Sequence, residues 1–371
     1  MIKNDRLHEL DSLRGLAALG VVCWHYTSMW HVTPLSSVFA PFYEHGLLMV
    51  DFFFVLSGFV LARAYWNERR RQSVGQNFLE RVARIYPLHL AMLIAVVPIQ
   101  ILLQQRLGPL DYLFKYSDTY HFILNLLLLN YSSLERGFSF NAPAWSISTE
   151  IIINAMFFAF ISLGRKTAAV LMVLAWVVAA MVIAKHGLIT NEGAFGINSG
   201  IYRTIAGFFL GVGLFKALEA RLNDRRGGSV LCDVAFTLSI AALLAFMVRW
   251  PTDHINVAVL AAVIFPMIIA TSIFGRFSRK VLTVRPLTFI GEISYSIYLT
   301  HFVLLLITML SQSILDERFE FDSPVFLITF ISATIIVSTI TNRVIEIPGK
   351  SAILRLIKHR VRNKSVQQNY E

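Results

Sequence analysis

Apolar runs of about 20 residues recur along this chain of 371 residues, and they restrict its fold more than any other feature. Only helices and closed barrels satisfy every backbone polar group inside a bilayer. The composition agrees, because 56% of the residues are hydrophobic and only 15% are charged. The sequence therefore predicts an all-α, polytopic transmembrane helical bundle. We place its ten spanning helices at 10–30, 46–64, 85–104, 145–163, 168–186, 199–217, 230–249, 255–274, 287–309 and 324–343.

The basic residues indicate an orientation for this bundle. A net charge of +10 would also suit a nucleic-acid-binding protein, but cytoplasmic loops of membrane proteins carry an excess of Lys and Arg. With the N-terminus inside, few of the 33 Lys and Arg residues fall in the outer segments. These few are Arg106, Lys115, Arg136, Lys185, Arg249 and Arg318. The pattern predicts that both termini are cytoplasmic, and it argues against a nucleic-acid partner.

One short apolar stretch decides the topology. Residues 121–130 would form a helix of only about 15 Å, too short to cross a hydrocarbon core of about 30 Å. We interpret it as re-entrant or interfacial, which puts 105–144 outside; as a span it would invert every later helix. Residues 1–349 are then one membrane-embedded domain, and 350–371 are a basic cytoplasmic tail that is partly disordered. The two cysteines offer no spacing for a disulfide framework or a metal site, so we expect no metal.

Arg14 and His25 lie in the first apolar run, separated by ten residues. Eleven steps along a helix return almost to the starting face, so both side chains lie on one stripe about 16 Å apart. Ionisable groups within a membrane are costly and indicate function. A permanently charged guanidinium can hold an anion, and an imidazole can transfer a proton near neutral pH. The structural alternatives are a snorkelling Arg14 paired with Asp11 and a hydrogen-bonded core histidine at position 25.

The second run carries a carboxylate and a pair of small residues. Asp51 lies in the outer third of its helix and needs a partner, for which His25 and Arg203 have suitable depth. Ser57 and Gly58 allow close approach either of another helix or of an extended ligand. Arg203 itself is either a site residue or an interfacial anchor.

Two further motifs lie where helices enter the membrane. Arg81 and Arg84, three residues apart at the cytoplasmic face, suit bidentate phosphate binding, although contact with lipid head groups would explain them too. In the Trp145–Glu150 segment, the Glu150 carboxylate lies at about the depth of His25. It could orient the imidazole as in base–orienter pairs, or serve as a capping carboxylate.

The ninth predicted helix contains Tyr295, Tyr298 and His301. These residues could line a shared cavity, whereas hydrogen bonding between helices would explain the hydroxyl groups equally well.

Taken together, these motifs resemble the acyltransferase-3 family of integral-membrane acyltransferases. The matching segments are LDSLRG with Arg14 and His25, FFFVLSGF, RVARIYP with Arg81 and Arg84, WSISTE with Trp145 and Glu150, SYSIYLTH, and IEIP. The resemblance covers residues 10–348. The order and spacing of the motifs make it specific, whereas any one of them alone would be weak.

The resemblance implies transfer of an acyl group, most often acetyl from acetyl-CoA, to hydroxyls of extracytoplasmic glycans, in a bacterial inner membrane. Acceptors would be O-antigen, peptidoglycan, exopolysaccharide or a lipid-linked oligosaccharide, and Arg14 with His25 would be the signature functional pair. Some members carry a periplasmic SGNH domain, which we do not expect here. Direct acylation of the glycan and delivery to a separate periplasmic acyl-accepting partner both stay open.

The residues and the resemblance together suggest a route for the donor. Arg81 and Arg84 would hold the CoA phosphates, and the pantetheine arm would pass Arg14 and the Ser57–Gly58 pair. His25 would act as general base or as a transient acyl carrier, with Glu150 orienting its ring. The group that stabilises the oxyanion is not assigned; a cationic side chain or a Tyr hydroxyl such as that of Tyr298 could do so. The rival hypothesis is a proton-coupled transporter, which predicts an internal symmetry that the sequence does not show.

Overall fold

Helices make up most of the computed structural model, which describes residues 6–66, 74–187, 193–222, 227–249 and 260–367. This confirms the predicted all-α class. The helices are α1 His8–Trp30, α2 Ser36–His45, α3 Leu48–Tyr65, α4 Val74–Leu107, α5 Asp111–Phe114, α6 Thr119–Leu126, α7 Trp145–Ser162, α8 Arg165–His186, α9 Ser199–Leu222, α10 Val230–Arg249, α11 Phe265–Phe274, α12 Phe277–Leu282, α13 Arg285–Glu292, α14 Ser294–Leu315, α15 Pro324–Thr341 and α16 Ile347–Gln367. Short 3₁₀ or π turns precede α7, α11 and α16, at Ala142–Ala144, Leu260–Ile264 and Asn342–Glu346.

Eight helical stretches within the described residues are long and apolar enough to cross a membrane. They establish a multi-pass membrane protein. The stretches are Leu48–Tyr65, Val74–Leu107, Ala142–Ser162, Arg165–His186, Ser199–Leu222, Val230–Arg249, Ser294–Leu315 and Pro324–Ile357.

The other two predicted spans differ from these eight for separate reasons. Helix α1 has 23 residues, about 34 Å, but Arg14, His25 and its other polar residues make it less apolar. The predicted span 255–274 is described only from residue 260, and its apolar part is the shorter helix Ala262–Phe274. The stretch 121–130, which we predict to be re-entrant or interfacial, overlaps the eight-residue helix α6, and this helix is too short to cross a membrane.

Two predicted polar segments lie partly outside the described residues. The polar segment 67–80 is described only from residue 74, and the tail only to residue 367. Residues 350–367 of the predicted tail belong to helix α16. The expected disorder of the residues after 367 stays a prediction.

Glycine allows a close backbone contact between α3 and α9. A methyl group added to Gly58 would come within 1.8 Å of the Phe208 carbonyl oxygen, and one added to Gly211 within 2.0 Å of the Val55 carbonyl oxygen. The two backbones therefore touch, as small residues permit in membrane bundles. This contact fixes the depth of α3 relative to α9.

Helix α1 lies among several elements of the bundle and packs on α13, α14, α2 and α3. It carries Arg14 six residues after its first residue and His25 five residues before its last. We call the end of the bundle where α1 begins the Arg14 end, and the opposite end the His25 end.

Candidate active site

His25 meets a second imidazole, that of His301 on α14. The His25 Nδ1 atom lies 3.2 Å from Nε2 of His301 and 3.1 Å from the carbonyl oxygen of Val21. His301 is fully buried, and its own Nδ1 lies 3.0 Å from the carbonyl oxygen of Ile297. Each ring is thus held by a carbonyl one turn earlier in its own helix and by the other ring.

These contacts determine which nitrogen of each neutral ring carries the proton. A carbonyl oxygen only accepts, so Nδ1 of both rings must be the N–H donor. In neutral His301 the Nε2 atom is then an acceptor, and the His25 Nδ1–H is shared between it and Val21. The Nε2 atom of neutral His25 is left unprotonated and able to accept a proton.

His25 lines a cavity of about 430 Å³ at the His25 end. This volume is in the range of small-molecule sites. Trp145 and Arg203 line the same cavity, together with Trp24 from α1. Residues of the 105–144 segment cover it, among them Tyr112, Leu113, Tyr131, Phe138, Ala142 and Pro143.

Arg203 is held in the cavity wall by Asp51. Its Nε and one terminal nitrogen donate to the two carboxylate oxygens at 3.1 and 2.7 Å, and both side chains are almost completely buried. The guanidinium also lies 5.2 Å from the Trp145 ring. Of the two partners expected for Asp51, the structure therefore selects Arg203 and not His25.

Arg14 contacts both its own helix and the α13–α14 junction. One terminal nitrogen donates to Asp11 at 2.7 Å and to the Gly291 carbonyl at 3.4 Å, and Nε donates to the Ser294 hydroxyl at 3.0 Å. The ion pair with Asp11 is the one weighed from the sequence. Because a quarter of the Arg14 side chain stays exposed, it can still meet an anion.

Glu150 does not orient His25, which corrects the expectation from the sequence. One of its carboxylate oxygens accepts from the Ser57 hydroxyl at 2.6 Å and from Arg81 at 3.3 Å. The His25 ring is held by Val21 and His301 instead. Similar depth in the membrane was the basis of the expected pairing, and depth leaves open which direction each helix faces.

Cations gather at the Arg14 end. Arg14 is repelled electrostatically by Arg84 and Arg81, and both of these also repel Lys350 on α16. Among the described residues no carboxylate or carbonyl accepts a hydrogen bond from Arg84. Its guanidinium is therefore available to a ligand, whereas that of Arg81 is shared with Glu150.

Three other predicted site residues serve the packing of helices. Gly58 faces the α9 backbone, so it cannot be the donor contact that the sequence suggested. The Tyr298 hydroxyl donates to the Pro143 carbonyl at 2.8 Å and lies 2.8 Å from the Ser146 hydroxyl. Its proton is thus already used and does not serve an oxyanion. The Tyr295 hydroxyl donates to the Ile85 carbonyl at 2.7 Å, which joins α14 to α4.

The expected shared cavity is lined differently from the prediction. The described lining of the cavity does not include Tyr295, Tyr298 or His301. His301 contacts His25, which does line the cavity. The sequence reasoning also overlooked Lys350. Its available signal was its position four residues after Glu346, just beyond the last predicted span.

One protein family and several individual proteins are similar to this chain. A family model described as an acyltransferase domain matches residues 7–343. The peptidoglycan O-acetyltransferase OatA of Listeria monocytogenes is 24% identical over 91% of this chain, which spans 55% of that relative. "Protein 2 in picA locus" of Rhizobium radiobacter is 32% identical over 41% of this chain and 81% of its own length. Acyltransferase MdmB of Streptomyces mycarofaciens is 34% identical over 43% of this chain and 41% of its own length. No solved structure matches the chain.

Proposed function

This chain belongs to the acyltransferase-3 family of integral-membrane acyltransferases, and from that premise we propose that it moves an acetyl group from cytoplasmic acetyl-CoA to a hydroxyl of an extracytoplasmic glycan. The relatives named as O-acetyltransferases support the acetyl group and the oxygen acceptor. The chain spans about half the length of the Listeria relative. The identity of the donor, the identity of the acceptor and the side of the membrane that each occupies are therefore part of the proposal.

The two ends of the bundle suit two different substrates. Basic residues are concentrated at the Arg14 end, which the positive-inside rule assigns to the cytoplasm. Acetyl-CoA is available on that side. The cavity beside His25 is at the opposite end, where a glycan exposed outside the bacterial inner membrane could enter.

Arg84, Arg81, Lys350 and Arg14 form the proposed donor site. The donor's phosphates would pair with Arg84, for which the described residues offer no hydrogen-bond acceptor, and be attracted by the other three cations. The pantetheine arm would then run along α1 from Arg14 towards His25, a rise of roughly 16 Å. Arg81 has a second task, since it neutralises Glu150 inside the bundle.

The observation that carries the proposal is His25 in the cavity wall with its Nδ1 atom held by Val21 and His301, which leaves Nε2 as the acceptor of the neutral ring. Acting as general base, it takes the proton of an acceptor hydroxyl while the hydroxyl oxygen attacks the thioester carbonyl carbon. A carbon–oxygen bond forms and the carbon–sulfur bond breaks. The proton on Nε2 then passes to the departing CoA thiolate, which returns His25 to its neutral form. His301 keeps the Nδ1 proton in place and is a positioning residue.

Transient acetylation of His25 uses the same nitrogen and is the alternative chemistry. It requires an acetyl–enzyme that forms without an acceptor, whereas the general-base route requires donor and acceptor together. Incubation with labelled acetyl-CoA alone, followed by mass spectrometry, separates the two routes. We expect no label on His25.

The proposed function is tested with the purified full-length protein in lipid, labelled acetyl-CoA and bacterial cell-wall glycan. We expect His25→Asn to lower acetyl transfer by about 10²- to 10⁴-fold, the usual contribution of a general base. His31→Asn is the matched control, because His31 is exposed at the end of α1 and lies outside the described cavity lining. Equal transfer by His25→Asn and wild type would reject the assignment. Proton-coupled substrate uptake by vesicles without acetyl transfer would favour the transporter.

A further inference from the structure

A second and larger cavity opens beside the first at the His25 end. It has a volume of about 710 Å³, and we call it the vestibule. It shares six lining residues with the His25 cavity, so the two spaces adjoin. The shared residues are Tyr112, Leu113, Tyr131, Phe138, Ala142 and Phe302. A ligand held in the vestibule would therefore lie next to the cavity that His25 lines.

Aromatic faces dominate the boundary between the two cavities. Tyr112 is 71% exposed, although it lines both spaces. The Tyr131 and Phe138 rings stack with centroids 5.3 Å apart and planes within 4° of parallel, and Phe138 is 44% exposed. Exposed flat rings that the core does not need are suited to binding the apolar faces of a ligand.

Polar groups around these rings are fixed in place by their neighbours. The Glu135 carboxylate accepts from the Ser133 backbone N–H and from the Asn198 side-chain amide, both at 2.8 Å. The Ser133 hydroxyl in turn accepts from the Asn198 backbone N–H at 2.9 Å. This arrangement joins the 105–144 segment to the start of α9, and it keeps the vestibule wall pre-formed.

Among the described residues that line the vestibule, the charges balance. Asp111 and Glu135 are acidic, and Lys115 and Arg136 are basic. A balanced wall offers hydrogen-bond donors and acceptors without attracting a highly charged polymer. Aromatic faces combined with such polar groups match a neutral or amide-bearing sugar, which has apolar ring faces and a rim of hydroxyls.

We propose that the vestibule is a glycan subsite that binds the sugar next to the one being acetylated. This inference rests on the proposed function, and it adds that the acceptor is an oligosaccharide or polymer of at least two sugars. One sugar occupies the His25 cavity. Its neighbour packs on Tyr112 and Phe138 in the vestibule.

Direct binding tests the subsite without any acetyl donor. The purified full-length protein is applied to an array of bacterial oligosaccharides and their constituent monosaccharides, covering peptidoglycan, O-antigen and exopolysaccharide sugars. Wild type should bind one class of oligosaccharide more tightly than its monosaccharides. Tyr112→Ala and Phe138→Ala should each weaken that binding about three- to tenfold, the range for a lost aromatic contact.

Two control variants separate stacking from general damage. Tyr112→Phe keeps the ring and should bind as wild type does. Phe195→Ala removes an aromatic side chain that is 90% exposed and outside the described lining of both cavities, so its binding should be unchanged. Melting temperatures of all variants show that each one folds.

The outcomes distinguish this inference from the proposed function. Oligosaccharide binding that weakens in both alanine variants supports the subsite, even if acetyl transfer fails. The subsite is rejected if monosaccharides bind as tightly as oligosaccharides, if the alanine variants bind as wild type does, or if no sugar on the array binds. Loss of transfer with intact glycan binding would instead count against the assigned chemistry.

Discussion

The protonation of a single nitrogen sets what His25 can do. A ring whose Nε2 carried the proton would donate to the cavity, whereas the observed contacts with Val21 and His301 leave that atom as an acceptor. The sequence shows two histidines 276 positions apart and gives no sign that they meet. Their meeting is the most informative fact at the residue scale.

Replacing His301 tests its positioning role. In His301→Ala the His25 Nδ1–H keeps only the Val21 carbonyl, so both tautomers become accessible and the productive one is less populated. We expect kcat to fall about 10- to 100-fold, the scale known for residues that hold a functional histidine. The KM for acetyl-CoA should stay constant, because the donor site lies at the other end. Recovery of kcat in His301→Gln, which can still accept from His25, would separate positioning from loss of packing.

Arg84 and Arg81 should respond differently to the same substitution. Arg84→Ala removes a cation without a described protein partner, so the KM for acetyl-CoA should rise about tenfold or more while the melting temperature holds. Arg81→Ala leaves the Glu150 carboxylate without its cation, so it should lower the melting temperature as well. Steady-state kinetics and thermal unfolding in detergent measure both effects. A lower melting temperature for Arg84→Ala with an unchanged KM would contradict the donor site.

At the scale of helices, the contact between α3 and α9 positions several side chains of the site. Helix α3 contributes Asp51 and Ser57, and α9 contributes Arg203. Because the two backbones touch at Gly58 and Gly211, the Asp51 and Arg203 side chains reach each other with both hydrogen bonds formed. A small shift of either helix would break that pair and move Arg203 in the cavity wall.

A methyl group at Gly58 should therefore cost stability. Gly58→Ala forces α3 and α9 apart, and we expect a loss of about 1–3 kcal/mol, the usual cost of overpacking. Gly213→Ala is the matched control on α9, because nothing lies within 4 Å of the added carbon there. Thermal unfolding in detergent compares the two. Equal melting temperatures would show that the helices separate without cost.

At the scale of the whole molecule, the bundle holds unlike chemistry at its two ends. Cations gather at the Arg14 end, and aromatic cavities open at the His25 end. Helix α1 links them, since it carries Arg14 and His25. This arrangement suits a reaction whose donor and acceptor come from opposite sides of a membrane.

Cysteine labelling tests which side each end faces. In a variant without the two native cysteines, Lys115→Cys should react with a membrane-impermeant maleimide on intact cells. Arg276→Cys should react only after the membrane is permeabilised. Both positions are exposed. If residues 121–130 crossed the membrane, every later segment would invert and Arg276→Cys would react in intact cells.

Local patterns in the sequence determined the helical class, most of the spanning segments and the short α6. Apolar runs and charges act on the residues that carry them, so they can be interpreted without the fold. The residue types of the site were also evident, because ionisable groups within membrane helices are rare and costly.

Only the tertiary structure decided which of these groups meet. Depth along a helix follows from counting residues, and it suggested Glu150 as the partner of His25. The rotation of each helix about its axis depends on packing between segments far apart in the chain, such as the contact of Gly58 with Phe208. Because of that rotation, the Glu150 carboxylate accepts hydrogen bonds from Arg81 and Ser57, and His25 faces His301.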